Sequence, residues 1–187
     1  YYSAFYHGAP NGSMGFSAFM QQAGFDSYLG MTEYGNKKDF DGHWGIWDEP
    51  FLQYMANDIN NLPQPFLASV FTLSSHHPYR IPSEYDGVFP KGHIPIHEGV
   101  GYSDNALRNF FATASQKEWF NNTLFIITAD HAVDGYLPEY KTAEGAFTIP
   151  VMFYAPGDDF VGLNDSTVVQ QTDIIPTLMS MLGVKEQ

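Results

Sequence analysis

Leu124-Phe125-Ile126-Ile127-Thr128-Ala129-Asp130-His131 sets a run of apolar and β-branched residues directly against an acid and an imidazole. The run from 124 to 128 follows the Asn121-Asn122 turn and reads as a buried strand. Two further runs have the same character. Residues 66–73 form a mostly apolar strand stopped by Ser74-Ser75-His76-His77-Pro78, and residues 150–154 form another that ends at Ala155-Pro156-Gly157. A short aromatic strand over Tyr1 to Tyr6 ends at His7-Gly8.

Helical patterns fall between these runs. Residues 13–22 suggest a short helix closed by Gly24, and Asp48 reads as the N-cap of a helix over 49–60 with Pro50 in its first turn. Ser103 or Asp104 opens a helix with Leu107, Phe110, Phe111 and Ala114 on one face. Thr172 caps a last helix over 173–182, with Ile175, Leu178, Met179 and Leu182 inward and Gly183 at its stop. The proline- and glycine-rich stretch 81–101 reads as a long irregular loop. Alternating helices and continuous apolar strands imply one α/β domain with a largely parallel sheet.

Composition narrows the function. The 187 residues are 44% hydrophobic with 16 Phe and 12 Tyr, enough to build a core. A net charge of -13, from 8 basic against 21 acidic residues, repels phosphate backbones and argues against nucleic-acid binding. Cysteine is absent, which excludes disulfides and thiolate metal sites. No apolar run approaches the roughly 18 residues of a membrane span, and no charged-then-apolar leader is present. Because the chain opens inside a strand, it reads as an excised piece, with any such elements expected upstream.

Asp130 and His131 follow a strand, where ligands gather in open α/β sheets. A carboxylate and an imidazole there suit a divalent cation that polarises phosphoryl or sulfuryl oxygens. An Asp capping the next segment beside a loop His would give the same letters, so spacing alone leaves both readings open. His93 and His97 stand at i, i+4, but Ile94-Pro95-Ile96 argues against a helix and strips that spacing of meaning. Trp44 and Trp47 read as packing residues. Asn11-Gly12-Ser13-Met14-Gly15 approximates a nucleophile elbow. Its first Gly is replaced, however, and neighbouring Asp130 and His131 cannot easily complete a triad, so a serine esterase is disfavoured.

Ordered segments along the whole chain then carry a resemblance. They are YHGAPNGSMGF from Tyr6, GFDSYLGMTEY from Gly24, WGIWDE from Trp44 and FTLSSHHPY from Phe71. YSDNALRNFF from Tyr102, LFIITADH from Leu124, IPVMFYAPG from Ile149 and TDIIPTLMSMLG from Thr172 follow in order. In this combination the chain resembles the sulfatase family of the alkaline phosphatase superfamily, in its lipoteichoic-acid-synthase and phosphoglycerol-transferase branch. The resemblance implies an alkaline-phosphatase-like three-layer α/β sandwich, incomplete at its N-terminus, with residues 1–187 forming the C-terminal portion of the catalytic domain.

It further implies that Asp130 and His131 ligate a divalent metal (Mn, Mg, Ca or Zn). His76, from the His-x-Pro turn, would be catalytic and substrate-facing, and His7 would contact substrate; Asn11 is a further candidate for substrate binding. The nucleophile and a further acidic ligand would lie upstream, so these residues alone are expected to be inactive. Substrates implied are phosphate or sulfate esters, lipid-linked or glycan. The implied location is the extracytoplasmic face of a bacterial cytoplasmic membrane, with attachment only through upstream segments. Ala9, Met14 and Phe16 stand where lipoteichoic-acid synthases carry an Asp, a Trp and an Arg that hold glycerol phosphate. The missing Arg removes a bidentate phosphate clamp, for which Asn11 or Arg80 could compensate. Sulfate-ester hydrolysis and a non-catalytic binding module with a degenerate metal site are the competing readings.

Overall fold

The computed structural model describes residues 1–133, 135–157 and 167–184. Contacts divide the chain into two compact units, Tyr1–Phe120 and Asn121–Gln187.

The first unit is built on a parallel sheet of three strands, β1 (Tyr2–His7), β2 (Ser27–Leu29) and β3 (Phe66–Phe71), in the order β2-β1-β3. β1 is central and is buried as its aromatic sequence requires, with Ala4 and Tyr6 fully enclosed and Phe5 nearly so. β1 is in register with both neighbours, Tyr6 opposite Leu29 and Val70 and His7 opposite Phe71. The carboxyl ends of the strands therefore meet at one edge.

Short helices α1 (Phe16–Gln22) and α2 (Met31–Tyr34) flank β2. A 3-10 turn over Ser13–Gly15 precedes α1, and Met14 within it takes a left-handed φ of 57°. The helix expected over 13–22 is thus broken into two pieces. Helix α3 (Asp48–Asp58) packs on α4 (Ile96–Ala114). Their buried residues repeat at helical spacing: Phe51, Leu52, Met55 and Ala56 on α3, and Tyr102, Ala106, Phe110 and Ala114 on α4. Each large side chain so enclosed contributes about 1.5–3 kcal/mol. Glu49 ties the pair together, accepting from Asn109 Nδ2 at 2.6 Å and from Tyr85 Oη at 2.5 Å.

Two expectations for this unit are corrected. Helix α4 begins at Ile96, inside the stretch read as loop. Pro95 occupies its N-cap position with φ -57°, where a missing N–H costs nothing, so this proline starts the helix instead of breaking one. Asp48 is not the N-cap of α3: the helix already includes it, and Trp47 holds the cap position. The Asp48 carboxylate is buried and turned toward the end of β3. It accepts from Leu73 N at 2.8 Å, Ser74 N at 3.1 Å and Ser103 Oγ at 3.1 Å. Burial pushes its carboxyl above the usual range, and these hydrogen bonds oppose that shift.

The second unit contains β4 (Phe125–Thr128) and β5 (Val151–Tyr154), paired antiparallel, and α5 (Ile174–Met181). The strand expected over 124–128 is present, but it is half-buried and not enclosed, and β5 alternates half-buried with exposed. A two-stranded ribbon cannot cover both of its own faces. α5 departs further from expectation: Ile175 is 70% exposed, and Met179 and Leu182 are also exposed. Of the four residues expected inward only Leu178 is half-buried, and the other three are exposed. Pro176 sits in the first turn of α5, and Gly183 takes the left-handed conformation (φ 68°) that ends it.

Candidate active site

In the first unit, the carboxyl edge of the sheet carries His7, placed by being the last residue of the most buried strand. It is fully enclosed. Its Nδ1 lies 2.9 Å from Tyr28 Oη, and its ring meets Phe16 at 4.9 Å and Phe71 at 5.8 Å, both edge-on. Nε2 is buried without a hydrogen-bond partner. Loss of hydration pushes the imidazole pKa down to about 4, so His7 is neutral at pH 7.

His76 sits beyond β3 and is exposed. Its Nδ1 lies 2.9 Å from the His77 carbonyl oxygen. A carbonyl only accepts, so Nδ1 carries a hydrogen, and in the neutral ring Nε2 presents a lone pair. Trp44 Nε1 donates to the same carbonyl at 2.7 Å, and the His76 and Trp44 rings meet at 4.5 Å. One backbone oxygen thus fixes both rings. The Asp48 carboxylate holds the segment leading into them through Leu73 N and Ser74 N.

Beside Trp44 opens a cavity of about 310 Å³, whose lining includes Ala9, Ser13, Met14, His43, Trp44 and Leu73. The His43 ring stands edge-on to Trp44 at 5.2 Å. The Asp41 carboxylate fixes this turn by accepting from the backbone N–H of His43 at 2.6 Å and of Trp44 at 2.8 Å.

Asn11 is occupied locally. Its Nδ2 donates to both Glu33 carboxylate oxygens, at 3.1 and 2.9 Å, and its Oδ1 accepts from Thr32 N at 3.2 Å. It clips the loop after β1 to α2. The Glu33 carboxylate also accepts from Gly30 N at 2.7 Å.

In the second unit, Asp130 and His131 follow β4 and are both exposed. His131 Nδ1 lies 2.8 Å from the Ala132 carbonyl oxygen, which places a hydrogen there; in the neutral ring Nε2 is then an acceptor. Nε2 stands 3.4 Å from Asp130 Oδ2. Two acceptors facing each other at this distance suit a shared cation, and one carboxylate oxygen with one imidazole nitrogen is a fitting donor set for a divalent metal. Among the described residues no third His, Asp or Glu joins them in a metal-holding cluster. Gln171 supports the turn from below, its Nε2 donating to the carbonyls of Ala129 at 2.7 Å and Asp130 at 3.1 Å.

A family model described as Sulfatase matches residues 1–184. The chain belongs to the sulfatase family. This sulfatase chain is 24% identical over 209 residues to the lipoteichoic acid synthase-like protein YvgJ of Bacillus subtilis, a match covering 99% of the chain and 33% of that protein. Its structure resembles that of a protein in the alkaline phosphatase superfamily from Vibrio parahaemolyticus, with a TM-score of 0.82 and 29% identity over 98% of this chain and 45% of that one. The lipoteichoic acid synthase LtaP of Listeria monocytogenes is similar in fold, with a TM-score of 0.78 and 23% identity, covering 99% of this chain and 50% of that one. The fold is alkaline-phosphatase-like α/β. The chain spans about a third of the curated relative's length and about half of each solved structure.

Sequence reasoning placed His7, Asn11 and His76 in one region of this sulfatase chain, and the structure sets each of them in the first unit near the strand ends. Of the three, only His76 exposes an uncommitted nitrogen. Three other residues that contact the candidate segments carry no such signal in the sequence. His43 carries no motif, Asp48 looks identical to an N-cap in sequence, and Gln171 lies far along the chain from the turn it supports. Trp44 was read as packing; it packs against His76 and also lines the cavity.

Proposed function

We propose that the protein containing this chain is a metal-dependent transferase or hydrolase of phosphodiesters, of the phosphoglycerol or phosphoethanolamine type, acting on cell-envelope substrates outside the cytoplasmic membrane. The observation that carries this reading is the pairing of Asp130 Oδ2 with His131 Nε2 at 3.4 Å directly after β4. Family membership and the similarity to lipoteichoic acid synthases support the phosphoryl chemistry. A divalent cation bound there would stabilise charge on the phosphoryl oxygens.

The chain's own residues would do the rest. Ala132 and Gln171 orient His131 and Asp130 through the carbonyl contacts above. His76, with its lone pair on Nε2, would take the proton of an incoming hydroxyl and return it to the departing oxygen. The nucleophile and the remaining metal ligands would come from a segment outside these 187 residues, so the chain alone would be inactive. Among the described residues no helix is long and apolar enough to cross a membrane, and attachment would also reside elsewhere.

The test uses a longer protein matching the span of the relatives, incubated with Mn²⁺, Ca²⁺ or Zn²⁺ and offered aryl phosphodiester, phosphomonoester and sulfate substrates. Metal-dependent phosphodiester turnover that disappears in Asp130→Ala supports the proposal. Preferential sulfate turnover moves the assignment to a sulfatase. No metal binding and no turnover would leave a binding module with a degenerate metal site.

A further inference from the structure

The cavity beside Trp44 differs in chemistry from a phosphate pocket. Its lining combines the indole of Trp44 with Ala9, Met14 and Leu73, and adds two neutral hydrogen-bonding groups, the Ser13 hydroxyl and the His43 imidazole. No Lys, Arg, Asp or Glu is among the lining residues. A phosphate held in such a place would lose its hydration with no guanidinium or ammonium to replace it, which costs several kcal/mol.

Two neighbouring groups that could otherwise receive an anion, His7 and Asn11, are committed. His7 is sealed under Phe16 and Phe71. The side-chain polar atoms of Asn11 are engaged by Glu33 and Thr32. An aromatic face beside apolar side chains, with a hydroxyl and an imidazole at its rim, is instead complementary to a ring with one C–H face and hydroxyls at its edge. The volume of about 310 Å³, roughly ten liquid waters, has room for a single monosaccharide ring.

We propose that the Trp44 cavity is a subsite for an uncharged sugar ring, which stacks on the indole and hydrogen-bonds to Ser13 and His43. Trp44 is well prepared for this role. Its Nε1 is tied to the His77 carbonyl and the Asp41 carboxylate fixes its backbone, so little rotamer entropy remains to be lost on binding. His76 touches the same indole at 4.5 Å. A sugar seated there brings its attached ester next to the Nε2 of His76. The inference rests on the proposed ester chemistry and names the substrate class: esters carried on a glycan in place of free glycerol phosphate.

The test is direct binding, which needs neither metal nor turnover. The full chain is titrated with methyl glucopyranoside, glycerol and glycerol 1-phosphate, followed by saturation-transfer NMR and tryptophan fluorescence. The glycoside is expected to bind in the millimolar range, with transfer strongest to its ring C–H protons and at least tenfold weaker binding in Trp44→Ala. Because Trp44→Ala also frees the His77 carbonyl, His43→Ala and Ser13→Ala serve as milder variants and are expected to weaken binding about threefold each. Thermal melts confirm that every variant is folded. Glycerol 1-phosphate binding as tightly as the glycoside, or glycoside binding unchanged in all three variants, would overturn the proposal. Neither outcome depends on whether the longer protein turns over phosphodiesters.

Discussion

Phe16 closes over His7, their ring centroids 4.9 Å apart and nearly perpendicular. By resemblance an arginine would stand at position 16 and His7 would face substrate. A benzene ring there makes the strand end dry, so His7 is held neutral and position 16 offers an anion no cation.

That neutrality makes stability pH-dependent with a definite sign. His7 has its pKa depressed to about 4 in the folded chain, against 6.5 when unfolded. Its contribution is complete above 6.5 and is lost as pH falls toward 4, because only the unfolded chain takes up the proton in that window. The difference corresponds to at most about 3 kcal/mol. Urea denaturation followed at pH 7 and pH 4.5 should show the loss, and His7→Phe should show a smaller one. Equal pH dependence in the two proteins would mean that His7 is not enclosed.

Asp48 gives a second expectation, which separates charge from hydrogen bonding. Its Oδ1 takes Leu73 N and Ser74 N, while Oδ2 receives Ser103 Oγ. An asparagine can keep the first two bonds through its oxygen and donate to Ser103 from its amide. Since burial already favours the protonated carboxyl, Asp48→Asn should cost only about 1 kcal/mol. Asp48→Ala strands two buried backbone N–H groups and should cost about 3 kcal/mol or more. Urea midpoints of the two variants measure this, and equal losses would contradict the assigned bonds.

Much of this architecture was legible because it repeats. The aromatic run ending at His7, the apolar run 66–73 and the helical spacing of Phe110 and Ala114 each carry a period that a buried face requires. What stayed hidden lacks such a period. β2 has only three residues, Ser27–Leu29, and is a strand because β1 offers it a ladder. Pro95 can either begin or break a helix, and only the backbone angles decide. Asp130 and His131 stand out as candidates from strand position and resemblance, but the tautomer that would free His131 Nε2 depends on Ala132 folding its carbonyl back. The antiparallel pairing of β4 with β5 was equally invisible, since apolar runs do not specify direction.

Gln171 provides a test of the metal proposal that leaves both supposed ligands intact. Its amide donates to the carbonyls of Ala129 and Asp130 and so fixes the turn that aims the carboxylate. Supports of this kind typically govern 10–100-fold in metal affinity or activity. In the longer protein, Gln171→Ala should raise the Mn²⁺ concentration needed for half-maximal phosphodiester turnover about tenfold. Gln171→Glu, which sets a carboxylate against two carbonyls, should do worse. A Gln171→Ala variant with unchanged metal dependence would show that the turn orients itself.

His76 and Trp44 should differ in how they fail, although their rings touch. His76→Ala removes the nitrogen assigned to proton transfer and should lower kcat by about 10²–10⁴ in the longer protein. Trp44→Phe keeps an aromatic ring but loses the donor to the His77 carbonyl. That carbonyl remains available to His76 Nδ1, so the tautomer survives while the turn loosens. The expected result is a roughly tenfold effect concentrated in KM, with the pH profile of kcat unmoved. A Trp44→Phe variant that shifted the pH profile instead would mean that the indole tunes the imidazole directly, and the shared carbonyl would lose its role as the element that positions both.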